Sequence, residues 1–121
     1  MTRILLVDDD EAFRSMLSES LGRAGYEVTE ARDGNEGLRL FRAQASDLII
    51  TDLIMPEKEG LETIQEFQRD YPGVKIIAIS GGSRHGAFDY LKVASSFGAQ
   101  KVLSKPFTRQ EILDVITQVL G

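Results

Sequence analysis

The chain has 121 residues, 42% hydrophobic and 27% charged, with 14 Lys and Arg against 19 Asp and Glu for a formal net charge of −5. That is enough chain for one buried core and one domain over residues 1–121; the composition excludes disordered and fibrous classes, and the acidic balance argues against direct nucleic-acid binding. There is no cysteine, which excludes disulfides and thiolate chemistry, and no apolar run of membrane-spanning length or signal peptide after Met1-Thr2-Arg3, so the cytoplasm is the expected compartment.

Ile4-Leu5-Leu6-Val7 opens the chain as a short apolar run, the pattern of a strand buried on both faces. Phe13, Leu17, Leu21 and Ala24 then recur at helical spacing, and Gly25 stands where a left-handed stop is expected. Tyr26-Glu27-Val28-Thr29 is a polar, alternating strand suited to a sheet edge. Asp33-Gly34 marks the entry to a second helix, whose apolar stripe is Leu38, Phe41 and Ala45. Leu48-Ile49-Ile50-Thr51 predicts a third strand. Ile64, Phe67 and Tyr71 predict a third helix, stopped at Tyr71-Pro72-Gly73 because the residue before proline resists helical dihedrals. The run from Val74 to Ile79 predicts a fourth strand, and Leu91, Ala94 and Phe97 a fourth helix. Lys101-Val102-Leu103 predicts a fifth strand. Ile112, Val115, Ile116 and Val119 predict a fifth helix, entered through Thr108 with Glu111 completing a capping box. Five β-α units with short connections predict an α/β fold: a doubly wound, five-stranded parallel sheet with helices on both faces.

In such sheets ligands bind beyond the carboxyl ends of the strands. The first strand is followed by Asp8, Asp9, Asp10 and Glu11, the third by Asp52, the fourth by Ser80, and the fifth by Ser104, Lys105 and Pro106. Several carboxylates at one edge repel one another and call for a cation; Mg2+ suits a site of a few carboxylates and waters. Lys105 offers a point charge to an anionic ligand. A carboxylate is itself a competent nucleophile for an acyl phosphate, so the set suits phosphoryl chemistry, where positioning and charge neutralisation dominate. Plainer readings exist for each residue alone. Asp10 and Glu11 read best as helix caps and dipole partners, Asp52 as a turn residue, Ser80 as a strand-end hydroxyl and Lys105 as a solvated lysine. Their coincidence at one edge favours the chemical reading.

These residues, taken together, resemble the receiver domains of bacterial two-component response regulators along the whole chain. Leu6-Val7-Asp8-Asp9 resembles that family's acid pair, and Asp47 to Pro56 its phosphoacceptor strand and Met-Pro turn. Gly60, Ser80 and Lys105-Pro106-Phe107 match in order. The resemblance implies a flavodoxin-like (βα)5 arrangement with strand order 2-1-3-4-5. It implies that Asp52 accepts a phosphoryl group from a histidine kinase or phosphotransfer protein. Asp9, Asp52 and the Ile54 backbone carbonyl would ligate Mg2+, with Asp8 acting through a metal-bound water. Lys105 would pair with phosphoryl oxygens, Ser80 would hydrogen-bond one, and Lys105-Pro106 would be a cis peptide. The expected function is a phosphorylation-dependent switch with its own dephosphorylation, not a turnover enzyme. It would signal to a protein partner or output domain and could form a homodimer through the fourth helix, fifth strand and fifth helix.

The chain departs from the family pattern at Val102, where many receivers carry an aromatic residue; a rotating ring coupled to Ser80 is absent. The stretch after Ser80 is also longer than usual. It contains Gly81-Gly82-Ser83-Arg84-His85-Gly86, read as an active-site loop in which Arg84 and His85 are solvated. Without Gly-Lys-Ser/Thr it is no nucleotide P-loop. Small Gly82 is expected to leave water a path to the phosphoryl group, shortening its lifetime. Two other classes stay open: a phosphatase of haloacid-dehalogenase type, on the strength of Asp8-x-Asp10, and a degenerate receiver that binds partners unphosphorylated. The native start and helical end favour a stand-alone regulator over one with an output domain.

Overall fold

The computed structural model describes residues 1–53, 60–80 and 98–121. In chain order its elements are β1 (Arg3–Val7), α1 (Glu11–Arg23), β2 (Glu27–Ala31), α2 (Gly34–Ala43), β3 (Leu48–Asp52), α3 (Gly60–Asp70), β4 (Ile76–Ser80), β5 (Lys101–Ser104) and α4 (Arg109–Leu120). The helix α4 is the fifth one expected from the sequence. The fourth expected, around Leu91, Ala94 and Phe97, lies outside the described residues. All strand pairs are parallel and the order is β2-β1-β3-β4-β5, as the resemblance implied.

Strand alternation divides the core in two. Leu5, Val7, Ile49, Ile76 and Ala78 point to the face covered by α2 and α3, where they meet Leu38, Phe41, Ile64 and Phe67. Ile4, Leu6, Leu48, Ile50, Ile77 and Ile79 point to the other face and meet Leu17 and Leu21 of α1 and Ile112 and Ile116 of α4. Each such Leu, Ile or Phe contributes about 1.5–3 kcal/mol when fully buried, so the unbroken apolar runs of β1, β3 and β4 are explained by helices on both sides. Gly37 marks the closest approach of α2 to the sheet: a Cβ there would stand 3.0 Å from Val7 Cγ2.

The helix ends follow the residues that signal them. Asp10, Asp33 and Thr108 cap α1, α2 and α4, accepting from the backbone N–H groups of Phe13, Glu36 and Glu111. The capping box of Thr108 and Glu111 is complete. Gly25 has φ +99°, the left-handed conformation that glycine adopts most easily.

Several boundaries differ from those expected. The second strand begins at Glu27 because the Tyr26 N–H donates to Leu21 O at 3.2 Å and so belongs to the exit from α1. The fourth begins at Ile76 because the Val74 N–H closes a turn on Tyr71 O at 3.1 Å. Ala24 and Ala45 are exposed, not core: Ala24 is the C-cap of α1, and Ala45 lies beyond the end of α2. The fifth strand, grouped by pattern with the fully buried ones, is an edge strand with Lys101 and Ser104 exposed and Val102 and Leu103 partly buried.

Candidate functional site

Parallel register brings the acidic residues to one edge. Val7 of β1 stands beside Thr51 of β3, so Asp8 and Asp52, the residues that follow, leave the sheet side by side. Carboxylate oxygens of Asp8, Asp9 and Asp52 lie within 4.8 Å of one another. Asp8 and Asp52 are 1% and 6% exposed, while Asp9 faces solvent. Asp10, next in line, turns away to cap α1, accepting from the Phe13 N–H at 3.1 Å, and Glu11 lies in the first turn. The sequence reading divided these four acids the same way.

Asp8 is held at every polar group. Its N–H donates to Ala31 O at 3.0 Å and its carbonyl accepts from Arg14 Nη1 at 2.7 Å. Its carboxylate accepts from the Asp10 N–H at 2.9 Å and from Lys105 Nζ at 3.1 Å. Lys105 also stands 3.7 Å from Asp52 Oδ2. It comes from the segment after β5, beginning a cis Lys105-Pro106 peptide, and its N–H donates to Ser80 O at 2.8 Å. Ser80, 7% exposed, ends β4 next to β3. The structure therefore brings together Asp8, Asp9, Asp52, Ser80 and Lys105. Ile54, the Met55-Pro56 turn, Gly81, Gly82, Arg84 and His85 lie outside the described residues.

Among the described residues one ammonium, paired with Asp8 and Asp52, stands against a cluster of three carboxylates, so these groups carry an excess of negative charge in a partly desolvated place, where like charges repel strongly. An all-oxygen donor set suits a hard divalent cation. Oxygens sharing one Mg2+ stand at most about 4.2 Å apart, so separations within 4.8 Å need only small side-chain adjustment.

Two residues at the site, Arg14 and Phe13, were given no role there from the sequence, and Phe107 was named only within the Lys105-Pro106-Phe107 match. Arg14 secures the Asp8 carbonyl and pairs with Glu30 at 3.0 Å. Phe13, read as part of an apolar stripe, is half-buried and lies under Lys105, with Nζ 4.0 Å from its ring centroid. Phe107 stands edge-on to it at 5.9 Å. Their positions one turn into α1 and two residues past Lys105 were the available signal. Val102 is paired with Ala78 and packs against the core on the α2 and α3 side.

The family model for the response regulator receiver domain matches residues 4–117. The chain is 33% identical to the transcriptional regulatory protein GlrR of Escherichia coli K12 over 117 residues, 97% of this chain and 26% of that protein. It is 32% identical to the chemotaxis protein CheY of Thermotoga maritima over 119 residues, 97% of this chain and 96% of that one. It thus spans about a quarter of the first relative's length and nearly all of the second's. Among solved structures, the response regulator TrrA of Thermotoga maritima, in complex with Mg2+-BeF, superposes with a TM-score of 0.85 at 31% identity, covering 98% of this chain and 99% of that one.

Proposed function

The chain belongs to the response regulator receiver domain family, whose members are phosphorylation-dependent signalling switches of two-component systems, and from that premise we propose that Asp52 is its phosphoacceptor. The observation that carries the proposal is the buried Asp52 carboxylate, grouped with Asp8 and Asp9 and 3.7 Å from the Lys105 ammonium. An oxygen of Asp52 attacks the phosphorus of a phosphohistidine on a histidine kinase or phosphotransfer protein. The new O–P bond forms as the N–P bond breaks, and the departing imidazole nitrogen becomes neutral or takes up a proton. Lys105 pairs with a phosphoryl oxygen and Ser80 donates its hydroxyl to another; both hold charge that grows on those oxygens during transfer. Asp9 and Asp52 would hold Mg2+ directly, with the Ile54 carbonyl as the third protein ligand that the family pattern implies and Asp8 acting through a water, and the ion would supply the remaining positive charge; in TrrA the bound species is Mg2+-BeF. Loss of the signal is attack of water on the same phosphorus, releasing inorganic phosphate and restoring the Asp52 carboxylate.

A phosphoryl group adds about −1.5 to −2 charge and strong acceptor oxygens, and the strand ends carrying Ser80 and Lys105 must reorganise to satisfy them. The receiver of that change is a protein partner or an output domain. A homodimer would use the fourth helix expected from the sequence, which lies outside the described residues, together with β5 and α4. Residues 1–121 act as one receiver domain in the cytoplasm; no described helix is long and apolar enough to cross a membrane, and the net charge of −5 disfavours direct nucleic-acid contact by this chain. The test is to incubate the protein with Mg2+ and a small acyl phosphate and measure intact mass. One phosphoryl group is gained, and Asp52→Ala abolishes the gain. Turnover of generic phosphate esters, or no gain at all, overturns the reading.

A further inference from the structure

We propose that Phe13 is a positioning residue for Lys105, its ring face holding the ammonium at the carboxylate edge by a contact that does not depend on the carboxylates. This rests on the reading of Lys105 as the group that meets the phosphoryl oxygens. Among the described residues three contacts surround Lys105 Nζ: Asp8 Oδ2 at 3.1 Å, Asp52 Oδ2 at 3.7 Å and the centroid of the Phe13 ring at 4.0 Å. The lysine side chain is 20% exposed, so the ring acts on a partly desolvated cation, where the negative face of an aromatic ring attracts most strongly.

The ring is itself fixed. Phe107 meets it edge-on, centroids 5.9 Å apart and planes at 87°, the arrangement aromatic pairs prefer. Both rings pack against the core on the α1 and α4 side. Phe107 lies two residues past Lys105, so the segment that carries the lysine also braces the ring beneath it.

The two carboxylates that hold the ammonium are the ones the proposed function requires elsewhere. Asp52 becomes the acyl phosphate, and Asp8 turns toward a cation's water shell. Lys105 then loses its ionic anchors at the moment it must find the phosphoryl oxygens. The ring face remains, and it limits the space the four-carbon stem explores. A leucine at position 13 would fill much of the same apolar volume with no negative face. Packing alone therefore does not replace the ring's effect on the lysine.

The experiment is a double-mutant cycle on the full chain with saturating Mg2+, comparing Phe13→Leu, Phe13→Trp, Lys105→Met and Phe13→Leu with Lys105→Met. The first readout is the initial rate of phosphoryl uptake from a small acyl phosphate, followed by intact mass. Phe13→Leu should slow uptake by about fivefold, within the range of a partly desolvated cation–π contact, and Phe13→Trp should stay within about twofold of the starting protein. In the Lys105→Met background Phe13→Leu should change nothing further, because an effect routed through the lysine vanishes with it. Equal slowing in both backgrounds, or no slowing in either, overturns the proposal. The second readout is the NMR shift of the Lys105 CεH2 protons. They should be displaced upfield by the ring, with and without Mg2+, and return to the ordinary lysine position in Phe13→Leu. If the starting protein takes up no phosphoryl group, the assignment of Asp52 falls, and the NMR shift decides alone: a ring-current displacement that Mg2+ removes, or none at all, overturns the positioning role.

Discussion

Replacing Asp9 by Asn should make the protein more stable in the absence of Mg2+ and less responsive to it. Asp9 is the exposed member of a trio whose carboxylate oxygens lie within 4.8 Å of one another. Lys105 contacts Asp8 and Asp52. At 4.8 Å with water-like screening, one like-charge pair costs about 0.9 kcal/mol. Asparagine keeps the shape and removes both of Asp9's repulsions, worth about 1–2 kcal/mol in all. For a domain of this size that raises Tm by roughly 4–8 °C. The assay is thermal denaturation followed by circular dichroism at low ionic strength, repeated at about 0.5 M salt, where screening should remove most of the gain. Added Mg2+ should raise the midpoint of the native protein by mass action and that of Asp9→Asn much less. An Asp9→Asn protein that melts at or below the native protein without Mg2+, or that gains as much from Mg2+, would refute the electrostatic reasoning.

Three further substitutions probe the scaffold. Thr108→Ala removes the side-chain acceptor for the Glu111 N–H and breaks the capping box; it should cost about 1 kcal/mol, read as a lower urea midpoint with an unchanged slope. Gly37→Val places a branched side chain where a Cβ alone would meet Val7 Cγ2 at 3.0 Å. It should cost about 2 kcal/mol through overpacking, and a paired Val7→Ala should recover part of that loss in the same denaturation assay. Arg14→Met leaves the part-buried Asp8 carbonyl without its 2.7 Å donor and Glu30 without its partner. It should cost about 1–3 kcal/mol and weaken Mg2+ binding measured by calorimetry, because the acidic edge loses its brace.

The fold was legible because β1, β3 and β4 are apolar on both faces, a pattern that only helices on both sides of a sheet satisfy. Asp10, Asp33 and Thr108 announced their helices by chemistry local in sequence. Asp8, Asp9, Asp52, Ser80 and Lys105 were legible because strand ends converge in this topology whatever the side chains do. Phe13 and Arg14 were not. A half-buried phenylalanine at helical spacing looks like core, its partner Lys105 is distant in sequence, and the acceptor of Arg14 at the site is a backbone carbonyl, that of Asp8, which residue type does not reveal. Tyr26 was assigned to a strand on alternation and Val74 on hydrophobicity, but their N–H groups are committed to turn carbonyls, a competition that residue patterns do not display.

The hydrogen bond from the Lys105 N–H to Ser80 O at 2.8 Å gives the site a reporter of its own. That amide proton exchanges with solvent deuterium only when the tip of β5 lifts from the tip of β4, an opening with its own free energy. Position 102 of β5 is Val and not an aromatic residue, so this amide reports on the two strand tips themselves. A change that parts them speeds exchange at this single amide, while one confined to side chains leaves it as slow as its neighbours in the ladder.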